Sequence, residues 1–369
     1  MRDPRIQEIA RQLLHHSVQL KKDEKVLIEG HYITKPLLIE LVKQTYEIGA
    51  YPFVQLMDDE IHKYLAKGYR QEQLKILANW DMKKFEDVDA VIFVIGEEND
   101  AELAEIPPEN FRLSGEVMKP VIDYYVNHCR WVLLNYPTKS LAQKAGMGTN
   151  QFEDFLFDVC TIDYAQMQVA MEPLKLLMEQ TDQVRIISPG TDLVFSIQGI
   201  PAVMCFGNRN LPDGEVYTAP VKNSVNGTIT FNTPCPYHGT TFRDVSLIFK
   251  DGKIIEARAD QMDKINQILD IDEGARYIGE FALGVNPLIK YPMGDILFDE
   301  KICGSLHFTP GMAYQAANNG NVSAIHWDMV LIQRPEFGGG EIYFDNRLIR
   351  KDGFFVIPEL HGLNPDALM

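Results

Sequence analysis

Apolar residues in the N-terminal part of the chain come in short continuous runs, KVLIEG, YPFVQL, AVIFVIG and RWVLLN, separated by stretches in which apolar and polar positions follow a helical period. A run of about four to eight residues of this kind is the pattern of a strand buried on both faces. Between the first two runs, TKPLLIELVKQTYEIG predicts a helix with Thr34 as its cap, and further helices are expected over 59–80 and 109–127. Strand and helix in alternation predict a parallel sheet covered by helices.

A long helical stretch over 151–180 is expected next, and beyond it the texture changes. From VRIISPGTDLVFSI onward the apolar positions alternate in short strands broken by Gly, Pro and Asn, and LIFKDGKIIEARA carries a hairpin signal with Asp251-Gly252 at its turn. Two pieces with helical spacing, ADQMDKINQILD and DEGARYIGE, interrupt the strands. The expected organisation is an α/β domain with a parallel sheet over 1–180, serving as scaffold or substrate access, and an α+β catalytic domain with a mixed or antiparallel sheet over 181–369.

A length of 369 residues exceeds what one core usually supports, which agrees with two domains. The net charge of −17 would repel an extended phosphate backbone, so nucleic acid is not an expected partner. The first residues, MRDPRIQEIARQLLHHSVQL, lack the apolar region of a signal peptide, and no stretch is apolar enough to cross a bilayer, so a cytoplasmic protein without membrane contact is expected. Cys129, Cys160, Cys205, Cys235 and Cys303 are odd in number and scattered, as reduced thiols would be. Cys235 and His238 have a zinc-like spacing but lack a second ligand pair. No GxGxxG or GxxxxGK[ST] string occurs, and Gly146-Met147-Gly148 has no third glycine, so the parallel sheet lacks a nucleotide fingerprint.

Acidic and imidazole side chains in apolar or glycine-rich settings concentrate in the second half. His326 and Asp328 in SAIHWDMVLI are separated by one residue, so a strand would present both on one face and turn Trp327 the other way. Glu215 leaves the Pro-Asp-Gly turn of LPDGEVYTAP and enters an apolar strand. Glu280 is expected where the helical DEGARYIG hands over to FALG, a place where the helix dipole disfavours a carboxylate. His307 and Tyr314 flank a Pro310-Gly311 turn in SLHFTPGMAYQA. Each alone has a bland reading as a solvated carboxylate, a core histidine or one of fifteen tyrosines. Together, two glutamates, two histidines and an aspartate suit two divalent ions such as zinc, cobalt or manganese, and such a pair implies metal-assisted hydrolysis.

The strings LPDGEVYTAP, DEGARYIGE, LFDEKICGSLHFTPGMAY and IHWDMVLI, in this order, resemble the motifs of the aminopeptidase T and aminopeptidase S family of dinuclear metallo-aminopeptidases, the thermophilic metalloprotease group. The likeness is strong over 185–356 and weaker before it, where KKDEKVLIEG resembles the family's opening strand. It implies metal ligation by Glu215, Glu280, His307, His326 and Asp328, Tyr314 beside the metals, two divalent ions (Zn, Co or Mn), a homodimer, and peptide substrates with a free N-terminus. Pro310, where the family carries an apolar residue, and a shorter chain are departures that leave the substrate range open.

The expected function is removal of N-terminal amino acids from peptides by a water activated between two ions. Glu215 or Glu280 is the expected catalytic base and Tyr314 the expected donor to the tetrahedral oxyanion. Phe308, Met312 and Trp327 flank the ligands, with plain core packing as the simpler reading and a wall for the substrate's first side chain as the other. Two alternatives differ in class: a dinuclear metal amidohydrolase acting on small amides or modified dipeptides, and a noncatalytic nucleotide-binding protein built on the N-terminal domain.

Overall fold

Double burial explains the apolar runs of the central strands, but not YPFVQL, which forms the edge strand of its sheet and leaves Tyr51, Phe53, Val54 and Leu56 about half exposed. In the computed structural model, which describes residues 3–99, 101–237 and 239–369, the strands Lys25–His31, Tyr51–Met57, Ala90–Ile95 and Arg130–Asn135 form a parallel sheet. Lys25–His31 lies between Tyr51–Met57 and Ala90–Ile95, and the two-residue strand Asn210–Leu211 joins Arg130–Asn135 in parallel. Helix Lys35–Ile48 buries Leu37, Leu38 and Leu41 on one stripe. Val26, Ile28, Val91 and Ile92 are fully buried in the two central strands. The chain divides into two compact units, Met1–Thr161 with Gly207–Pro212, and Ile162–Phe206 with Asp213–Met369.

Several helices are shorter than their periodicity predicts, for local reasons. The stretch expected over 59–80 is two helices, Asp59–Lys67 and Gln71–Glu86, the first ending at the C-cap Gly68 and the second starting from the extended Arg70. Residues 151–180 are likewise split into Thr149–Cys160 and Tyr164–Gln180, where the Asp163 carboxylate accepts the Gln166 N–H at 2.8 Å and starts a new helix. Thr34 stands at the N-cap position, but its hydroxyl donates back to the His31 carbonyl at 2.7 Å instead of capping. In DEGARYIGE, Asp272 caps only a short 3₁₀ turn, Glu273–Arg276, and a strand begins at Ile278. Glu280 therefore sits inside a strand, and the expected conflict with a helix dipole does not arise.

Among the described residues the second unit holds three antiparallel sheets, of eight, five and two strands. In the largest sheet, Ser246–Lys250 and Lys253–Arg258 pair across Asp251 and Gly252, whose φ values of 49° and 85° give the left-handed turn that Asp-Gly favours. The five-stranded sheet runs in the order Met329–Ile332, Ser305–Pro310, Ile278–Gly284, Glu215–Thr218, Val203–Cys205. Every pairing in it is antiparallel.

One face of this sheet is packed with aromatic rings. Phe308 lies 5.2 Å from Phe195, 5.9 Å from Phe249 and 6.3 Å from Phe281 by ring centroid, and all four are buried. Phe308 is thus core, not a wall for substrate. Phe308→Ala should lower the unfolding free energy by about 3–5 kcal/mol in urea denaturation, the usual cost of emptying an aromatic core position, while the folded fraction keeps its metal content.

Candidate metal centre

Alternation along the five-stranded sheet decides which side chains meet on its other face. Gly284 pairs with Glu215, Ala282 with His307, and Glu280 with Thr309. Because successive side chains point to opposite faces, Glu215, Glu280 and His307 share one side, opposite Val216, Phe281 and Phe308. The carboxylate and imidazole members of these three strands are gathered by register alone.

His326 and Asp328 arrive by a different device. Pro310 ends the His307 strand instead of forming a turn with Gly311, and Gly311 pairs with His326 through an isolated bridge. Gly311 has φ +114°, and a Cβ there would lie 2.1 Å from the Ile325 carbonyl oxygen, so only glycine lets the two segments touch. Asp328 immediately precedes Met329–Ile332, which pairs with the His307 strand. Trp327 turns away, with its ring 4.8 Å from Tyr237 and 5.0 Å from Phe242, and is core as well. Of the three flanking apolar residues only Met312, 39% exposed, is not enclosed.

The structure brings all five expected ligands together. His307 Nε2 is 2.8 Å from Glu280 Oε1, and His326 Nε2 is 3.2 Å from Asp328 Oδ1 and 3.8 Å from Glu280 Oε2. His326 Nδ1 donates to the Met312 carbonyl at 2.8 Å, which leaves Nε2, the nitrogen facing the carboxylates, as the atom that could ligate a metal. Asp328 is oriented by the Thr309 hydroxyl, which donates to Oδ1 at 2.6 Å. On the other edge of its ring, His307 Nδ1 is 3.6 Å from Glu215 Oε2.

Two carboxylates, Asp213 and Glu300, escaped the sequence reading. Ligand atoms of Glu215, Glu300 and His307 lie within 4.8 Å of one another, as do those of Glu280, His307 and Asp328 and those of Cys205, Asp213 and Glu215. Glu300 follows the short helix Ile296–Asp299. Its signal was the charged triplet Asp299-Glu300-Lys301 set between apolar residues in ILFDEKIC, and all three are buried. The Cys235 and His238 pair cannot be placed, because His238 lies outside the described residues.

The donor set fits a divalent cation. Glu215 Oε2 and Glu280 Oε2 are buried without a hydrogen-bond partner, a costly state for carboxylate oxygens unless a cation takes them up. Nitrogen and oxygen donors in this mixture suit zinc, cobalt or manganese. Burial opposes charge on both imidazoles, but the carboxylates of Glu215 and Glu280 hold His307 up at about 10, and Asp328 and Glu280 hold His326 up at about 9. Burial likewise opposes ionisation of Asp328, yet the adjacent His326 and His307 keep its pKa below the usual carboxylate range. A site this rich in carboxylates attracts protons in the absence of any other cation, and a metal ion would displace them.

Tyr314 lies beside this cluster. Its ring centroid is 4.5 Å from that of His326 and 6.1 Å from that of Tyr217. Although the residue is 45% exposed overall, burial of the phenol end and the charges of Asp328 and Glu280 raise its pKa well above the ordinary tyrosine range. Both effects favour the protonated phenol, which can donate a hydrogen bond.

Known aminopeptidases resemble this chain in sequence and fold. Aminopeptidase 2 of Geobacillus stearothermophilus is 24% identical over 347 residues, 80% of this chain and 81% of that protein. Aminopeptidase T of Thermus thermophilus is 34% identical over 169 residues, 39% of this chain and 41% of that protein. Aminopeptidase PepS of Streptococcus thermophilus is 24% identical over 360 residues, 85% of each chain. The solved structure of wild-type AmpT from Thermus thermophilus superposes with a TM-score of 0.81 at 21% identity, covering 96% of this chain and 99% of that one, and so shares its fold. The sequence profile described as thermophilic metalloprotease (M29) matches residues 2–340, a span that takes in the whole ligand face of the sheet, and the chain belongs to that family.

Proposed function

We propose that the protein is a metal-dependent aminopeptidase that removes N-terminal residues from peptides and binds two divalent ions, zinc, cobalt or manganese. The observation that carries this reading is the pair of three-residue ligand groups that share His307 on one sheet face. Glu215, Glu280, His307, His326 and Asp328 are the proposed ligands, and Glu300 joins them as a sixth. When bound, the ions would acidify a water and polarise the substrate carbonyl.

The chain's own residues then have separable tasks. Glu280 or Glu215, both carboxylates whose burial raises their pKa, accepts the proton of the attacking water and returns it to the leaving amine. Tyr314 donates a hydrogen bond to the oxyanion that develops on the carbonyl oxygen. Met312 and Thr309 hold His326 and Asp328 in the orientation described above. We extend the reading to a cytoplasmic homodimer, supported by the family resemblance and by five cysteines without a disulfide. No helix among the described residues is long and apolar enough to cross a membrane.

Hydrolysis of leucine p-nitroanilide should fall to background after chelation and return on addition of zinc, cobalt or manganese. Activity indifferent to the chelator would end this reading, and turnover of small amides without turnover of peptides would move it to an amidohydrolase.

A further inference from the structure

Lys301 has no exposed surface, and its ammonium points into the carboxylates of the centre. It is hydrogen-bonded to the Glu300 carboxylate, 3.8 Å from Glu215 Oε1 and 3.9 Å from Asp213 Oδ1. Two of these partners, Glu215 and Glu300, form with His307 one of the two ligand groups, and Asp213 and Glu215 belong to the adjoining Cys205 group. The opposite group is built otherwise. Among the described residues neither Glu280 nor Asp328 forms an ion pair with a lysine or arginine, only with His307 and His326.

The asymmetry has a direct electrostatic consequence. A side chain sealed in this position cannot swing out to solvent, so an ion held by Glu215 and Glu300 must share both carboxylates with a neighbouring positive charge. Repulsion inside a buried site is weakly screened, and the Glu300 oxygen engaged by Lys301 is only partly available as a ligand. An ion held by Glu280, His326 and Asp328 meets neither obstacle.

We propose that Lys301 is a built-in monovalent cation that makes the two metal positions unequal, the Glu280–Asp328 position tight and the Glu215–Glu300 position weak and exchangeable. The proposal rests on the two-ion reading above. Lys301 is a positioning residue for the second ion and touches no substrate. In this arrangement the second ion comes and goes with its free concentration, so the enzyme's active fraction follows metal supply while the first ion stays in place.

The test is equilibrium dialysis of the full-length protein against Zn²⁺ and, separately, Co²⁺, with bound metal quantified by elemental analysis and cobalt coordination followed by its visible absorption. Wild type should bind two ions with dissociation constants separated by roughly 100-fold or more, and Lys301→Gln should tighten the weaker one until the gap falls within about tenfold. Should Lys301→Gln fail to fold by circular dichroism, Lys301→Met supplies a neutral side chain of similar length. Equal affinities in wild type overturn the proposal without any variant, and so does an unchanged gap in a folded neutral variant. Failure to bind any ion would instead remove the metallopeptidase reading itself, so the two failures are told apart by stoichiometry.

Discussion

Asp328→Ala should empty at least one metal position and reduce peptide hydrolysis by on the order of 1,000-fold, the rate equivalent of several kcal/mol of lost Lewis-acid stabilisation. The size of the effect follows from what Asp328 touches. It lies beside His326 and is fixed by Thr309, and its ligand atom groups with those of Glu280 and His307. Its removal also leaves His326 without its nearest carboxylate. Metal analysis of the purified variant, beside its kcat/KM on a leucine peptide, reads both consequences. Wild-type metal content in Asp328→Ala would remove it from the ligand set, whatever happened to the rate.

Tyr314→Phe should behave in the opposite way, keeping its metal and losing kcat by on the order of 100-fold, the range found when one oxyanion donor is removed. The phenylalanine keeps the ring that packs at 4.5 Å from His326 and deletes only the hydroxyl. If the hydroxyl acts only when charge develops on the substrate oxygen, kcat and kcat/KM should fall together. An unchanged kcat would withdraw that role, and a loss of metal would recast Tyr314 as part of the binding site. These two variants thus separate holding the ions from using them.

Parts of this molecule that are written in local pattern could be read from the chain, and parts made by tertiary burial could not. Strands such as Ala90–Ile95 announce themselves because a strand covered on both faces must be apolar throughout. The Asp251-Gly252 turn was legible because its backbone angles suit few other residue pairs. The five proposed ligands stood out only as a set, as acidic and imidazole side chains in apolar or glycine-rich settings within motifs that resemble one family. Glu300 and Lys301 did not, since a charged triplet in a loop is ordinarily solvated and only the fold reveals that this one is buried. The breaks at Gly68 and Asp163 were missed for another reason, because the helical period continues across both and masks a single capping residue.

The bridge between Gly311 and His326 makes the two parts of the ligand set unequally robust to mutational drift. Glu215, Glu280 and His307 are anchored in ladders whose aromatic reverse face also stabilises the unit, so a change that displaces them is a change selection sees as unfolding. His326 lies outside those ladders, held by a hydrogen bond to the Met312 carbonyl and by an isolated bridge to a glycine that no side chain can replace without pushing Ile325 away. A single substitution at Gly311 therefore opens a route by which a descendant could keep the scaffold and surrender the chemistry, and inactive homologues of this architecture should carry their first lesion there before any ladder residue is lost.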